Sequence, residues 1–286
     1  MAQDFISVII PNYNNASHLQ KCLAALMQQT QAKSTFEIIV VDNGSTDQSL
    51  TILQQFPVTL LQYTAQKNPY PCRNLGIQNA RGNLIALIDA KCIPHPDWLA
   101  QGYRALQNEK IDIVGGNIIC QFDQNTSVAE IVYALIYLSI APQENQSAAA
   151  LTGNLFTWKN TFDTIGFYLE NSRSGADVEW TERAKAKGKN VHYAAQAIVT
   201  YPPKKRQALL EAAYRDGKAE AQLFARKLGW GTYFWQALYH ARPPYFSTIK
   251  KKMNAKNIPI FGHSMLSVWW MYWLVRIQWS RGMLGI

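Results

Sequence analysis

Two short apolar segments of this chain each end on an aspartate. Residues 38–41 (IIVV) are followed by Asp42, and residues 84–88 (LIALI) are followed by Asp89. Short β-branched segments bounded by turn residues predict buried strands, and an open parallel sheet binds ligands beyond the carboxyl ends of its strands. A single aspartate in this place is more often the cap of a turn or helix. Two of them at matching strand ends instead favour a polar ligand-binding crevice.

The elements that would position these residues alternate along the first half of the chain. Predicted strands and helices follow one another in βαβα order, which implies a mostly parallel sheet with helices on both faces. The strands are predicted at 6–10, 37–41, 58–61, 84–88 and 111–115, and the helices at about 19–27, 47–55, 72–80 and 96–107.

The middle of the chain is less regular. A very apolar helix is predicted over 126–140. Its Tyr133 and Tyr137 lie one turn apart and could line an acceptor site, although core packing explains such a pair more often. The remaining elements are predicted as an extended segment over 148–158, a helix over 177–187 that ends at Gly188, and a strand over 191–201 that stops at Pro202 and Pro203.

Charge and tryptophan are distributed unevenly. The 286 residues suffice for one large α/β domain and an appendage. Residues 1–200 hold 14 Lys and Arg against 16 Asp and Glu, whereas residues 201–286 hold 14 against 3, so the net charge of +9 is the sum of −2 and +11. The last segment also holds six of the nine tryptophans. This asymmetry predicts a binding or catalytic domain over 1–203 and a basic, aromatic appendage over 204–286.

The appendage permits two interpretations. Its sequence predicts a helix over 207–228, aromatic-rich turns around Pro243 and Pro244, and an apolar stretch over 268–275 that is far short of the roughly 20 residues of a spanning helix. Trp and Tyr mixed with Arg and Lys suit docking at a membrane–water interface, and the tryptophans could equally form a small extra core. The composition also fits nucleic-acid binding, but no nucleic-acid-binding module is recognisable, so we expect no nucleic-acid partner.

The compartment is predicted from the first residues and the cysteines. Residues 1–5 lack the basic region of a signal peptide. The four cysteines are widely spaced, which indicates free thiols in a reducing environment. We therefore expect a cytoplasmic protein, at the inner face of the plasma membrane if the appendage docks there.

Several segments follow one another in the order of a known family. They are SVIIPNYNN, VVDNGSTD, CRNLGIQNARGNLIALIDAKCIPHPDWL, LTGNLFTW, IGFYLENSRSGADVEWTERAKAKG and AAYRDGKAEA. With them the chain resembles the family 2 glycosyltransferases over about residues 5–225. The resemblance implies the GT-A fold, a Rossmann-like α/β fold with a mostly parallel mixed sheet flanked by helices, and inversion of the anomeric centre. It also implies a nucleotide-binding half over about 1–115 and an acceptor half over about 116–203, followed by the helical appendage over 204–286.

The resemblance implies a nucleotide-sugar site at the strand ends. Tyr13 would lie against the nucleobase, where a flat ring buries flat area, and Asp42 would accept a hydrogen bond from the base edge. Arg73 would bind the diphosphate with its planar guanidinium, supported by Asn74. Asp89 would hold the ribose or help to position the diphosphate. The implied site comprises Pro11, Tyr13, Asn14, Asp42, Arg73, Asn74, Asp89 and Lys91.

The resemblance also implies a general base. Asp177 aligns with the second acid of the family's Glu-Asp pair, and Ala176 stands at the position of the first. Inverting transfer needs a carboxylate opposite the leaving diphosphate to take the proton of the acceptor hydroxyl. An acid in the first helical turn is also favoured by the helix dipole, but its place in the matched segment makes Asp177 the predicted base. Asn154, Glu179 and Trp180 are predicted on the acceptor side.

Two metal ligands of the family are missing. Lys91 stands at the second acid of the Asp-x-Asp motif, and Tyr201 stands where the family often has a histidine. An ammonium and a phenol do not make a hard-cation site, so no cofactor is expected, and Asp89 would be a ligand only if Mn²⁺ or Mg²⁺ is used. We hypothesise that Lys91 replaces the ion, because an ammonium ~4 Å from a phosphate oxygen gains ~4 kcal/mol at an effective dielectric of about 20. Arg73 and the cations at 204–206 would add to this effect.

These observations predict an inverting glycosyltransferase. It would move a sugar from a nucleotide-diphosphate sugar to a hydroxyl of a glycan or lipid-linked acceptor, in polysaccharide, glycolipid or cell-envelope glycan synthesis. The alternative is a non-catalytic nucleotide-sugar-binding or scaffold relative in a glycan-assembly complex, because both metal ligands are lost together. A dehydrogenase is disfavoured, because no Gly-x-Gly-x-x-Gly follows the first strand.

Overall fold

The computed structural model describes residues 4–137, 151–256 and 258–286. The described chain divides into two compact units, which we call the sheet unit and the helical unit. The sheet unit contains the described residues within 1–119, 140–171 and 176–201, and the helical unit contains those within 120–139, 172–175 and 202–286. Residues 120–139 and 172–175, which the sequence predicts in the acceptor half, thus belong to the helical unit, and the domain boundary at Pro203 stays a prediction.

The sheet unit is built on one mixed sheet. In the described residues it has eight strands in the order β3-β2-β1-β4-β7-β6-β8-β5. The pairs β1–β2, β1–β4 and β2–β3 are parallel, whereas β4–β7, β6–β7 and β5–β8 are antiparallel. The strands are β1 Ile6–Asn12, β2 Phe36–Asp42, β3 Thr59–Gln62, β4 Leu84–Ile88, β5 Ile93–Pro94, β6 Ile113–Cys120, β7 Asn154–Trp158 and β8 Val191–Tyr201.

Helices cover both faces of this sheet. Because successive side chains of a strand point to opposite faces, Val8 and Ile10 pack in one hydrophobic core and Ile9 packs in the other. Leu19, Leu23 and Leu26 recur at helical spacing and fill the first core, and Ile77 and Trp180 fill the second. The flanking helices are α1 Ala16–Leu26, α2 Ser49–Leu53, α3 Pro69–Asn79, α4 Trp98–Leu106, α6 Asn160–Ile165 and α7 Ala176–Ala186.

The predicted elements can be compared with the observed ones. The strands predicted over 84–88 and 191–201 are confirmed to the residue, and Gly188 follows α7 at a φ of +76°, as a left-handed C-cap requires. The two-residue strand β5 has no counterpart among the predicted elements. Part of the helix predicted over 126–140 and of the extended segment predicted over 148–158 lies outside the described residues.

The helical unit contains five described helices. They are α5 Val128–Tyr137, α8 Arg206–Leu228, α9 Trp230–Ala241, α10 Phe246–Ala255 and α11 Met265–Leu284. The aromatic-rich turns predicted around Pro243 and Pro244 are confined to the short segment between α9 and α10, because α9 occupies the preceding residues and buries Tyr233 and Ala237 in a cluster with Met283. The glycine and aromatic residues of α9 look like a turn in the sequence, and tertiary packing overrides that local preference. No helix in the described chain is long and apolar enough to cross a membrane.

Helices α8 and α11 approach each other closely at two glycines. A Cβ added to Gly217 would lie 2.0 Å from the carbonyl oxygen of Trp279, and a Cβ added to Gly282 would lie 2.0 Å from that of Tyr214. Both distances are far below van der Waals contact, and both partners are backbone atoms that cannot rotate away. Only glycine therefore fits at this crossing.

We expect Gly217→Ala to destabilise the protein. The extra methyl group must push two backbones apart, which we expect to lower the free energy of unfolding by about 3 kcal/mol. Gly231→Ala is the matched control, because Gly231 lies in α9 and no atom of the described chain is within 4 Å of the point that its Cβ would occupy, so we expect only the gain of up to about 1 kcal/mol from helix propensity. Urea denaturation of both variants measures the difference. A Gly217→Ala variant as stable as Gly231→Ala would contradict the close crossing.

Candidate active site

Three strands deliver their carboxyl ends to one edge of the sheet. In the parallel registers, Asn12 of β1 pairs with Asp42 of β2, and Ile9 of β1 pairs with Leu87 of β4. Asp89 directly follows the end of β4. The two aspartates singled out in the sequence therefore follow strands that end at the same edge, as predicted.

Asp42 is buried and organises the first loop of this edge. It is 1% exposed, and its carboxylate accepts hydrogen bonds from Asn12 Nδ2 at 2.9 Å, Ser45 Oγ at 2.6 Å and Ser45 N at 2.8 Å. Charge-assisted bonds of this kind fix the turn that follows β2. Asp42 therefore positions Asn12 and Ser45, and its direct contact with a nucleobase stays a prediction.

The loop after β1 is exposed beside this turn. Pro11 is half-buried, Tyr13 is 43% exposed, and Asn14 has a φ of +48°, which asparagine tolerates better than most residues. Asn14 Oδ1 accepts a hydrogen bond from Thr46 N at 2.8 Å, which ties the loop to the turn after β2. Lys67 Nζ lies 4.2 Å from the centroid of the Tyr13 ring.

Sequence reasoning missed Lys67. Its ammonium donates hydrogen bonds to the carbonyl oxygens of Asn43 at 2.8 Å and Gly44 at 2.9 Å. It thus braces the turn after β2 while it packs against Tyr13, where a cation over an aromatic face is favourable. No motif in the sequence marks this residue, because its contacts join segments that are 23 or more positions apart.

Helix α3 carries Arg73 and Asn74 beneath the same edge. The helix begins at an Asn-Pro pair, in which the side chain of Asn68 accepts a hydrogen bond from Tyr70 N and Pro69 occupies the first turn. Arg73 is 4% exposed and forms an ion pair with Asp89, whose side chain is 32% exposed. The Arg73 guanidinium, which is predicted to bind a diphosphate, is thus paired with Asp89. Its binding of a diphosphate stays a prediction.

The charge of Arg73 is held in place by its neighbours. Burial alone would lower the pKa of Arg73, but the negative charges of Asp89 and Asp177 more than offset it and raise the pKa. Its Nε has no hydrogen-bond partner in the described part of the chain. The guanidinium therefore remains charged and depends on Asp89 as its ion-pair partner.

Asp177 joins this group through a tyrosine. Tyr70 Oη donates a hydrogen bond of 3.0 Å to Asp177 Oδ1, and the Arg73 guanidinium lies 5.3 Å from the centroid of the Tyr70 ring. Burial and the negative charge of Asp177 raise the pKa of Tyr70 well above that of an ordinary phenol, so the hydroxyl stays protonated and donates. Thr152 N and Oγ1 approach Asp177 Oδ2 at 3.3 Å. A continuous chain of contacts therefore connects Asp89, Arg73, Tyr70 and Asp177.

Sequence reasoning also missed Tyr70 and Thr152. Tyr70 precedes Arg73 by three residues and Asn74 by four, so all three share one face of α3. That spacing could have identified Tyr70. Thr152 contacts Asp177 across 25 residues of sequence, and nothing local indicates it.

Asn74 holds a neighbouring segment, and its support of the diphosphate-binding loop stays a prediction. Its Nδ2 donates to the carbonyl oxygen of Tyr168 at 2.9 Å and to Glu170 Oε1 at 2.8 Å, and its Oδ1 accepts from Tyr168 N at 3.1 Å. All three contacts lie on residues 168–170. Asn74 thus holds this segment against α3.

The three residues predicted on the acceptor side are buried. Asn154 is 1% exposed. Its side-chain amide accepts a hydrogen bond from Trp98 of α4 and donates to the carbonyl oxygens of Asn117 in β6 and Ala197 in β8. Such a fully bonded amide links elements of the sheet unit and has no donor left for an acceptor sugar. Asn154 thus links these elements, and its place on the acceptor side stays a prediction.

Glu179 and Trp180 also have partners within the sheet unit, and their acceptor-side role stays a prediction. Glu179 is paired with Arg183 at 2.8 Å, and Arg183 in turn donates to the carbonyl oxygens of Ile165 and Phe167. Trp180 is fully buried and donates from Nε1 to the carbonyl oxygen of Gly166 at 2.8 Å. Both residues fasten α7 to the segment after α6, because one face of α7 packs in the core.

Lys91 lies at the sheet edge without an acidic partner. It is half-buried, and none of the ion pairs formed by the described residues involves it. Burial lowers the pKa of His18, and the positive charges of Lys91 and Lys21 lower it further. The neighbourhood of Lys91 is therefore electropositive.

The residues at this edge do not fit a divalent cation. Asp89 forms an ion pair with Arg73. Lys91 stands where the family's motif has its second acid, and Tyr201, at the end of β8, stands where the family often has a histidine. Across residues 4–137, 151–256 and 258–286, no group of three or more His, Cys, Asp or Glu residues is arranged to hold a metal. Hard cations require several oxygen ligands, and the Asp89 carboxylate already neutralises the Arg73 guanidinium.

The tyrosine pair of α5 lies in the helical unit. Tyr133 is buried, and its ring stacks on that of Tyr137 at 5.0 Å. Tyr137 Oη donates to Asp216 at 2.8 Å, and Lys204 Nζ lies 5.3 and 5.7 Å from the two ring centroids. These contacts agree with the core-packing interpretation of the pair, and a part in acceptor binding stays a prediction.

Replacing Asp89 by asparagine should destabilise the protein. The change leaves the Arg73 charge buried without its carboxylate, which we expect to lower the free energy of unfolding by about 3 kcal/mol. Glu182→Gln is the control, because the Glu182 side chain is 53% exposed in its pair with Lys185 and such pairs contribute about 0.5 kcal/mol. Urea denaturation at neutral pH compares the two. Equal losses would contradict a buried role for the Arg73–Asp89 pair.

Comparison with known proteins defines the class. The family model for glycosyl transferase family 2 matches residues 7–159. Glycosyltransferase AglE of Haloferax volcanii is 34% identical over 225 residues, which cover 77% of this chain and 74% of that protein. A poly(ribitol-phosphate) beta-glucosyltransferase of Bacillus spizizenii is 28% identical over 224 residues, which cover 73% of this chain but 34% of that protein. This chain therefore belongs to glycosyl transferase family 2 and is a glycosyltransferase.

Solved structures share its fold. The mannosyltransferase PcManGT of Pyrobaculum calidifontis, in complex with GDP-Man and Mn²⁺, superposes with a TM-score of 0.60 at 15% identity and covers 97% of this chain and 74% of that one. TarS residues 1–349 of S. aureus, in complex with UDP, superposes with a TM-score of 0.56 at 16% identity. The match covers 99% of this chain and 92% of that one. The fold is that of the GT-A glycosyltransferases, as predicted.

Proposed function

We propose that this glycosyltransferase binds a nucleotide-diphosphate sugar at the carboxyl ends of β1, β2 and β4 and inverts the anomeric centre. The observation that carries the proposal is the contact chain from Asp89 through Arg73 and Tyr70 to Asp177. It joins the strand ends, where a parallel sheet binds its ligand, to a carboxylate on α7. The distances support one shared site for donor and base.

Asp177 is the proposed general base. The acceptor hydroxyl gives its proton to Asp177 as its oxygen forms a bond to the anomeric carbon. The bond between that carbon and the diphosphate oxygen breaks at the same time, and the nucleoside diphosphate leaves with the electron pair. Tyr70 and Thr152 orient the Asp177 carboxylate through the hydrogen bonds that they donate. One carboxylate acting on the face opposite the leaving group produces inversion.

Lys91 is the proposed counter-charge for the diphosphate. It is a half-buried cation without an acidic partner among the ion pairs of the described chain, at the position where the family has a metal ligand. The mannosyltransferase PcManGT, which shares the fold, was solved in complex with Mn²⁺. The donor set of this chain favours an ammonium instead, and Asp89 would be a ligand only if an ion is used.

The acceptor is proposed to be a glycan or a lipid-linked saccharide. Curated relatives include a poly(ribitol-phosphate) beta-glucosyltransferase and a glucuronosyltransferase named for a dolichyl N-acetylglucosaminyl phosphate, and these names support synthesis of an envelope glycan. The cytoplasmic side of the membrane is the proposed setting. Peripheral contact of residues 204–286 with the membrane belongs to this proposal. A non-catalytic scaffold is not favoured, because the relatives are named as transferases.

A donor panel tests the proposal. Thermal unfolding of the full chain is followed with UDP-, GDP- and dTDP-sugars, because a ligand at about 100 times its Kd adds about 2.7 kcal/mol to the stability of the folded state. We expect one nucleotide class to raise Tm and the same donor to release its nucleoside diphosphate when a hydroxyl acceptor is supplied. Failure of every donor to raise Tm or to turn over would contradict the proposed function.

A further inference from the structure

The helical unit carries an exposed apolar surface. Here this aromatic surface is defined as the six exposed side chains Trp235, Tyr239, Tyr245, Phe246, Leu266 and Trp270. Tyr245 is 81% exposed and Trp235 is 68% exposed. Large aromatic side chains usually leave water, and exposed apolar groups that cluster together indicate an interaction site.

The members of this surface lie on or beside three helices, α9, α10 and α11, that pack together. Trp235 and Tyr239 are one turn apart on α9 and share a helical face, as Leu266 and Trp270 do on α11. The buried side of the surface links these helices, because Trp269 stacks on Phe246 at 5.8 Å and contacts Trp270 at 6.2 Å. The six side chains are therefore held on one packed scaffold of α9, α10 and α11.

The indole groups beneath the surface direct their polar edges inward. Trp269 Nε1 donates to the carbonyl oxygen of Pro244 at 2.6 Å, and Trp273 Nε1 donates to that of Ala241 at 2.8 Å. These bonds fix the segment between α9 and α10 on α11. Trp269 and Trp273 thus pack within the helical unit, whereas Trp235 and Trp270 are exposed. The first two fit the interpretation of a small extra core, and the last two fit the interpretation of a docking surface.

Positive charge surrounds the aromatic surface. Arg242 is exposed one turn beyond Tyr239 and lies 5.9 Å from its ring centroid, and Lys250 is exposed one turn beyond Phe246. Residues 221–286 contain nine Lys and Arg and no Asp or Glu. An apolar, aromatic face flanked by the cations Arg242 and Lys250 is complementary to a surface that is both anionic and penetrable.

We propose that the aromatic surface docks on an anionic phospholipid bilayer, with the six side chains at the level of the headgroups and Arg242 and Lys250 on the lipid phosphates. Trp and Tyr favour this interface, and interfacial helices combine such a face with basic residues. In this arrangement the helices lie on the bilayer. The inference deepens the proposed function, on which it rests for a membrane-borne acceptor, but its test reads binding alone.

Vesicle flotation of the full chain tests the docking surface. Vesicles of pure phosphatidylcholine are compared with vesicles that contain about 30 mol% phosphatidylglycerol, a composition chosen for a strong surface potential. We expect flotation with the anionic vesicles that weakens as salt rises. Arg242→Gln combined with Lys250→Gln should weaken that binding about 30-fold, since each cation near an anionic surface contributes about fivefold.

Two variants separate the contribution of the exposed aromatic rings to vesicle binding from nonspecific hydrophobic adsorption. Trp270→Ser with Tyr245→Ser removes two exposed rings and should weaken flotation about tenfold or more. Leu60→Ser is the control, because Leu60 is an exposed apolar residue on β3 of the sheet unit, and it should float as the parent does. Unchanged Tm in each variant ensures that folding is intact.

Several outcomes would overturn the proposal. One is failure of the parent chain to float with anionic vesicles, and another is a loss of vesicle binding in Leu60→Ser as large as that in the double variant Trp270→Ser with Tyr245→Ser. A dimer in light scattering that this double variant abolishes while flotation persists would also overturn it. Binding to a single-stranded oligonucleotide in place of vesicles would likewise assign the surface to nucleic acid. Donor-induced changes in Tm are unaffected by any of these results, so docking and the proposed function fail separately.

Discussion

Asp177→Asn is expected to lower kcat by about 10³-fold while donor binding stays within about twofold of the parent. A positioned general base contributes about 10²–10⁴ in rate, and asparagine cannot take a proton. Its amide oxygen can take the place of Oδ1 and accept the hydrogen bond from Tyr70, and its amide nitrogen can donate to the Thr152 hydroxyl on the side of Oδ2, so the variant should keep the shape of the site. Release of nucleoside diphosphate gives kcat, and donor-induced change in Tm reports binding.

Glu182→Gln provides the matched control for this variant. Glu182 lies in the same helix α7, and its side chain is exposed, so the substitution removes one negative charge from the helix without touching the contact chain. We expect activity within about twofold of the parent. An Asp177→Asn variant that keeps more than about a tenth of the parent kcat would show that another group takes the proton.

Lys91→Ala is expected to cause the second large loss. An ammonium ~4 Å from a phosphate oxygen is worth up to ~4 kcal/mol at an effective dielectric of about 20, so we expect kcat/KM for the donor to fall about 10²- to 10³-fold. Lys110→Ala is the control, because Lys110 is an exposed loop residue of the same unit. Initial rates over a range of donor concentrations, with excess chelator present, measure the difference.

Lys91→Asp tests the same idea from the other side. It restores the second acid of Asp-x-Asp beside Asp89, and hard cations bind to such carboxylate oxygens. We expect the parent enzyme to work in chelator and the Lys91→Asp variant to need added Mn²⁺ or Mg²⁺. A parent enzyme that loses activity in chelator and recovers it only with Mn²⁺ or Mg²⁺ would contradict the role of Lys91.

The sequence predicts the frame of the site because strands have a strong local signal. Buried β-branched segments that end on a polar residue identify β2 and β4, and parallel order brings Asp42 and Asp89 to one edge. The contacts beyond that frame are tertiary. Tyr70 lacks any motif of its own, and its bond to Asp177 spans 107 residues.

Burial is the property that the sequence indicates least well for polar residues. Asn154 and Glu179 look like surface residues, yet both are buried. Other strands complete the hydrogen bonds of Asn154, and Arg183 of the same helix pairs with Glu179. Transferring an unpaired amide or carboxylate from water would be costly, so partners decide where such residues lie. Periodicity and motif spacing carry no information on those partners. Helix α9 has no counterpart among the predicted elements for a related reason, since its packing on α11 outweighs its local preferences.

Product stereochemistry tests the central claim most directly. The donor that raises Tm, carrying an α-linked sugar, is turned over with a hydroxyl acceptor, and the anomeric configuration of the first product is read by ¹H NMR before any equilibration. Attack assisted by Asp177 on the face opposite the diphosphate predicts a β-linked product. An α-linked product would contradict a single base acting across the sugar from its leaving group.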